Sequence, residues 1–220
     1  MQSQKTIRWL SSGGSLGLIL FTLAWFILGF VSPGFTIYGV TISPYSPISA
    51  QISALGLGLT AFYMNTAFVL TGLLLLIGLI GIFWKIKGPN DETPWASVIL
   101  LAITPLGAIM DGFYTINSGF IHYIISIVAF VAPVVSFAVT GFQLRKIPSW
   151  RNFGKWLILG SPLTLILLIL FFMTFVPTPQ GQEVGVGGLV ERILITEVLF
   201  WYAAMGWLAF RNYATSPRQG

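Results

Sequence analysis

Hydrophobic residues in this chain come in long unbroken runs, not in the alternating or three-to-four-residue spacing of half-buried elements. Six runs, 13–31, 62–84, 95–114, 120–142, 156–176 and 190–210, each hold about 20 residues and are bounded by polar, Gly/Pro or aromatic positions. At about 1.5 Å per residue, such a run crosses a hydrocarbon layer about 30 Å thick. Each run therefore predicts a transmembrane helix. The first follows a short polar start carrying Lys5 and Arg8. It is longer than a signal-peptide core, and Ser32-Pro33-Gly34 makes a poor cleavage site, so a retained anchor is expected. Little sequence is left over between the runs, which predicts one membrane domain over residues 1–220.

The longest connection, Ser32 to Ala61, contains no Lys, Arg, Asp or Glu. Its lack of charge predicts a loop lying against the membrane face. Ser46-Pro47 has the form of a helix start, a hydroxyl cap followed by proline at the first helical position. Ile48, Ile52, Leu55 and Leu59 then repeat at helical spacing with Ser49 and Ser53 between them. That pattern predicts a short interfacial amphipathic helix, serving as a lid or a gate. The stretch 181–188 reads as a flexible turn.

Composition agrees with the bilayer as solvent. Apolar residues make up 55% of the chain and charged ones 8%, against roughly a quarter charged in soluble domains. Lys5, Arg8, Lys85, Lys87, Arg145, Lys146, Arg151, Lys155, Arg211 and Arg218 all fall on one side of a six-span thread, and Arg192 alone falls on the other. The positive-inside rule then puts both termini in the cytoplasm. Trp84, Trp95, Trp150 and Trp156 sit at the predicted cytoplasmic edges as interfacial anchors. The fold class predicted is an all-α integral membrane protein of the cell membrane, a six-transmembrane-helix bundle, N-in and C-in, with a short interfacial helix in the first outer loop. The net charge of +5 is spread between the spans and forms no nucleic-acid footprint.

Candidate chemistry is confined to a few polar side chains within the spans, where an ionisable group is expensive and usually faces the bundle interior. These are Asn65, Asp111, His122, Glu191, Arg192 and Glu197. Asp111 and His122 lie near the ends of consecutive antiparallel helices and so at similar height. Asp111 shares a stripe with Ala108, Gly107 and Thr104, and His122 one with Ser126, Ala129 and Pro133. Pro105 and Pro133 each free a helix carbonyl that a neighbour must satisfy. Asp111, His122 and Glu197 are the candidate catalytic residues, an acid–base pair and a deeper carboxylate, or else a structural pair. Asn65, Glu191, Arg192 and Trp201 are the candidate ligand-binding residues. Asn65 reads as a hydrogen-bond donor between spans, and Arg192 as the ion-pair partner of Glu191 or Glu197.

The absence of cysteine removes disulfides, thiolate metal sites and thiol catalysis, and a single histidine removes bis-histidine haem. No zinc spacing or Gly-x-Ser-x-Gly elbow is present. No metal site and no cofactor are expected.

Three segments carry a family likeness: Tyr45-Ser46-Pro47-Ile48-Ser49 through Ile52-Ser53-Ala54-Leu55-Gly56, Met64-Asn65 into Phe68-Val69-Leu70-Thr71-Gly72, and Gly188-Leu189-Val190-Glu191-Arg192 through Trp201. With Asp111 followed eleven positions later by His122, the chain resembles the prokaryotic membrane family called domain of unknown function 998. Where the family often has Phe-Pro-x-Asp, this chain has Ala108-Ile109-Met110-Asp111. The resemblance implies a six-span bundle in a bacterial or archaeal membrane and no established activity. Three functions are therefore carried forward. The first is a non-catalytic protein that binds a lipid or a partner protein, or is an accessory subunit of a membrane complex. The second is an intramembrane enzyme acting on a lipid or lipid-linked substrate through Asp111 and His122. The third, a proton-coupled transporter using Glu197, lacks a visible inverted repeat.

Overall fold

The chain is described from a computed structural model that covers residues 2–84, 86, 93–177 and 183–215. Lys85, Lys87 and Arg218, and the first two residues of the 181–188 turn, lie outside the described residues. Six long helices form where the apolar runs predict them: α2 (Gly13–Val31), α3 (Ala61–Phe83), α4 (Trp95–Phe113), α5 (Phe120–Leu144), α6 (Arg151–Thr174) and α7 (Gly187–Thr215). All six spans are long and apolar enough to cross a membrane. In hydrocarbon every backbone N–H and C=O must be paired internally, and a continuous helix does this without help from side chains. Several helices run past the apolar segment itself, because interfacial polar residues such as Arg151 and Lys155 also propagate a helix.

Each helix packs on the next in sequence, and α7 returns to α2, closing a ring that α3 and α7 cross through the middle. Leu, Ile and Phe side chains such as Ile19, Phe30, Ile99 and Ile166 face outward. Trp84, Trp95 and Trp156 are exposed at helix ends as interfacial anchors require, whereas Trp150 is buried edge-on against Phe153. A tight turn of three residues before α6 folds the Trp150 indole inward.

The polar start is itself helical, α1 (Gln2–Leu10), and meets α2 at an elbow. There the Ser11 hydroxyl donates to the Arg8 carbonyl, and the Ser12 hydroxyl and N–H both donate to the Trp9 carbonyl, at the end of α1. Ser11 is fully buried at this elbow against Gly81 of α3 and Gly206 of α7. The Arg8 guanidinium lies over the Phe210 ring of α7.

Two of the three prolines inside the long helices, Pro105 and Pro133, have the partners their missing hydrogen bonds demand. Pro105 frees the carbonyl of Leu101, which accepts from the Tyr202 hydroxyl of α7 at 2.6 Å. Pro133 frees the carbonyl of Ala129, which accepts from the Thr104 hydroxyl of α4 at 3.1 Å. Tyr202→Phe therefore leaves a buried acceptor unpaired, and is expected to destabilise by about 1–2 kcal/mol in detergent melts while Thr104→Ser remains near neutral.

The first outer loop departs from its sequence reading. It opens with a hairpin, β1 (Phe35–Ile37) paired to β2 (Val40–Ile42), whose two-residue turn has positive φ at Tyr38 and Gly39. Ser46 caps only one turn, its hydroxyl accepting from the Ser49 N–H. Two 3₁₀ turns follow, Ile52–Gly56 and Gly58–Thr60, in place of the expected interfacial helix. Ile52 and Leu55 are fully buried while Ile48 is 54% and Leu59 79% exposed, so the four do not share a face. The segment is a plug set into one mouth of the ring, touching α2, α3 and α7.

Candidate functional site

Irregular backbone at membrane depth is tolerated only where other groups satisfy it. The plug is satisfied by the very side chains whose presence in the spans called for an account. Glu191 accepts the Ile52 N–H at 2.7 Å. Arg192 Nη1 donates to the carbonyls of Ala50 at 3.0 Å and Gly188 at 2.7 Å, and Nη2 donates to the Tyr45 hydroxyl. Asn65 Nδ2 donates to the Gly56 carbonyl, and the Thr60 hydroxyl to the Leu55 carbonyl. Asn65 is thus a donor to the plug instead of to another span. Arg192 binds two carbonyls and a hydroxyl where an ion pair with Glu191 or Glu197 was expected, because the first turn of α7 points both residues at the loop.

Asp111 and His122 do meet. His122 Nδ1 lies 3.2 Å from Asp111 Oδ1 and 2.7 Å from the Tyr114 carbonyl, and since a carbonyl only accepts, Nδ1 carries a proton. The Ser126 hydroxyl donates to Asp111 Oδ1 at 2.9 Å and stands 3.5 Å from His122 Nε2. Sequence reading placed Ser126 on the His122 stripe without giving it a role. Asp111 and Ser126 border an inner cavity of about 70 Å³ that Glu191 also lines. On the other side, His122 and Ser126 border a space of about 200 Å³ beside Tyr38.

Glu197 belongs elsewhere. Both its oxygens accept from the Thr164 hydroxyl of α6, and Oε1 also accepts from Trp201 Nε1 one turn along α7. The Trp201 ring is wedged against Gly160, where a Cβ would stand 2.6 Å from it. It braces α6 to α7 and holds Glu197 in place.

A groove of about 630 Å³ opens between α2 and α7. Trp25, Phe26, Gly29 and Phe30 form one wall, and Leu189, Ile193 and Phe200 the other, with Pro47 and Ile48 of the loop at its top. Arg192 and Glu197 are its two charged residues. Phe26, Phe30, Ile193 and Phe200 are each about half exposed or more, so the groove faces outward, toward the surrounding lipid. No charge marks Trp25 or Gly29 in the sequence, and neither was singled out there.

A family model described as "Protein of unknown function (DUF998)" matches residues 15–208. Comparison with curated proteins and with solved structures gives no match.

Proposed function

The chain belongs to the DUF998 family, a family of unknown function, and from that premise and its geometry we propose that it is a non-catalytic membrane protein that binds a lipid in the groove between α2 and α7. The observation that carries this reading is the groove itself, about 630 Å³ and walled by aromatic and aliphatic side chains. That volume is within the roughly 300–1,000 Å³ usual for small-molecule sites, and apolar walls with a few polar groups are their usual lining. The sidedness of the cations supports placing the groove in the outer leaflet of the cell membrane.

The enzyme reading finds less support. It asks for Glu197 or Arg192 beside Asp111 and His122 to stabilise charge. Glu197 instead lines the groove, while Asp111 and Ser126 line a separate cavity and bond to one another.

Solvent extraction and mass spectrometry of detergent-purified protein tests the proposal. The wild type is expected to carry about one lipid per chain, and Ile193→Trp, which fills the groove from an outward-facing position, to lose it. Protein that purifies without lipid, or a variant that keeps it, would defeat the reading.

A further inference from the structure

Two buried N–H groups on residues of the groove wall have no acceptor, Trp25 Nε1 and Arg192 Nε. The two side chains are neighbours, with the guanidinium carbon 5.4 Å from the Trp25 ring centroid. Arg192 is 4% exposed, and its other donors bind only neutral oxygens, those of Ala50, Gly188 and Tyr45. A buried cation is expected to have both its hydrogen bonds and its charge answered. Here two donors that lack an acceptor belong to neighbouring side chains of the groove wall, one of them a guanidinium whose hydrogen bonds go to neutral oxygens.

We infer that this pair is the headgroup subsite of the groove, and that it takes a phosphate oxygen of a bilayer phospholipid whose acyl chain runs on past Ile193 and Phe200. The inference rests on the lipid reading above and adds the class of lipid. A phosphate supplies charge-assisted acceptors to both N–H groups and a negative charge to the guanidinium. A water or an ester carbonyl would supply an acceptor but leave the charge unanswered.

Depth agrees with this assignment. Trp25 lies six residues before the end of α2 and Arg192 five residues after the start of α7. Both are thus about 8–9 Å inside the helix ends. The 29 residues of α7 span about 43 Å, which exceeds the hydrocarbon core by about 13 Å. A residue 8 Å inside that helix is near the boundary between hydrocarbon and headgroups. Glu197 is five residues farther along α7, and its carboxylate is occupied by Thr164 and Trp201. Its negative charge bars a phosphate from sliding deeper.

The test uses the full chain in detergent micelles, offered either dioleoyl-phosphatidylglycerol or dioleoylglycerol, with retained lipid read by native mass spectrometry. Wild-type protein is expected to retain the phospholipid about tenfold better. Arg192 also holds the plug, so Arg192→Gln risks unfolding. Trp25→Phe removes the indole N–H and leaves a smaller aromatic ring that changes the fit of both lipids alike, and is expected to lower that ratio by about fivefold. Equal retention of the two lipids, or a Trp25→Phe ratio equal to the wild type's, overturns the phosphate assignment and leaves the lipid reading standing. Retention of neither lipid overturns both.

Discussion

Gly81→Ala is expected to lower stability by about 3 kcal/mol, shifting the melting midpoint in detergent down by roughly 10 °C. Helix propensity alone argues the opposite sign, since alanine is favoured over glycine in a helix interior by about 1 kcal/mol. Packing decides the outcome. A Cβ at Gly81 would stand 2.2 Å from the Ser11 backbone nitrogen, and the opposite wall is Gly206, whose own Cβ would stand 2.2 Å from the Ser11 carbonyl oxygen. The elbow between α1 and α2 is held on both sides by backbone, which has no rotamer to yield. Gly29 supplies the contrast, because a Cβ there meets nothing nearer than 3.7 Å. Gly29→Ala is expected to be neutral or stabilising in the same melt. Equal effects at the two positions would show that the elbow is not seated as described.

Glu191→Ala is expected to lower stability by about 2 kcal/mol, roughly 4–8 °C in the melt, and to speed hydrogen exchange in residues 50–57. The carboxylate is 3% exposed and accepts the Ile52 N–H at 2.7 Å, at a point where the plug has no regular backbone partner. Removing it leaves a buried donor unsatisfied and loosens the one irregular segment set inside the ring. Glu191→Gln retains an acceptor oxygen and is expected to lose less than half as much. An unchanged exchange rate in 50–57 for Glu191→Ala would deny the carboxylate its clamping role.

The six long helices were legible in the sequence because hydrocarbon admits few backbone solutions and uninterrupted apolar runs announce the commonest one. The approach of Asp111 to His122 was legible for a related reason. A connection of six residues between α4 and α5 keeps the two residues at one height, so only their faces remained to be settled, and small residues marked those. Pairings between helices distant in the chain were not legible. Thr164 and Glu197 are separated by 33 residues, and Arg192 and Tyr45 by 147. The outer loop was misread because helical spacing of Ile48, Ile52, Leu55 and Leu59 looks the same whether a segment lies on a membrane or is driven into a bundle. What distinguishes the two is the supply of partners for its backbone, and those partners, Asn65, Glu191 and Arg192, are on other elements. The same residues, read as ligand contacts or as an ion pair, act first on the chain itself.

The groove between α2 and α7 yields to one positional measurement. A photoreactive phenylalanine analogue is placed at Phe200 on the groove wall or at Leu163 on the outward face of α6, and the protein is washed in detergent before irradiation. A retained lipid in the groove predicts a lipid-mass adduct at position 200 and none at 163. Adducts of equal yield at both positions, or at neither, would contradict it.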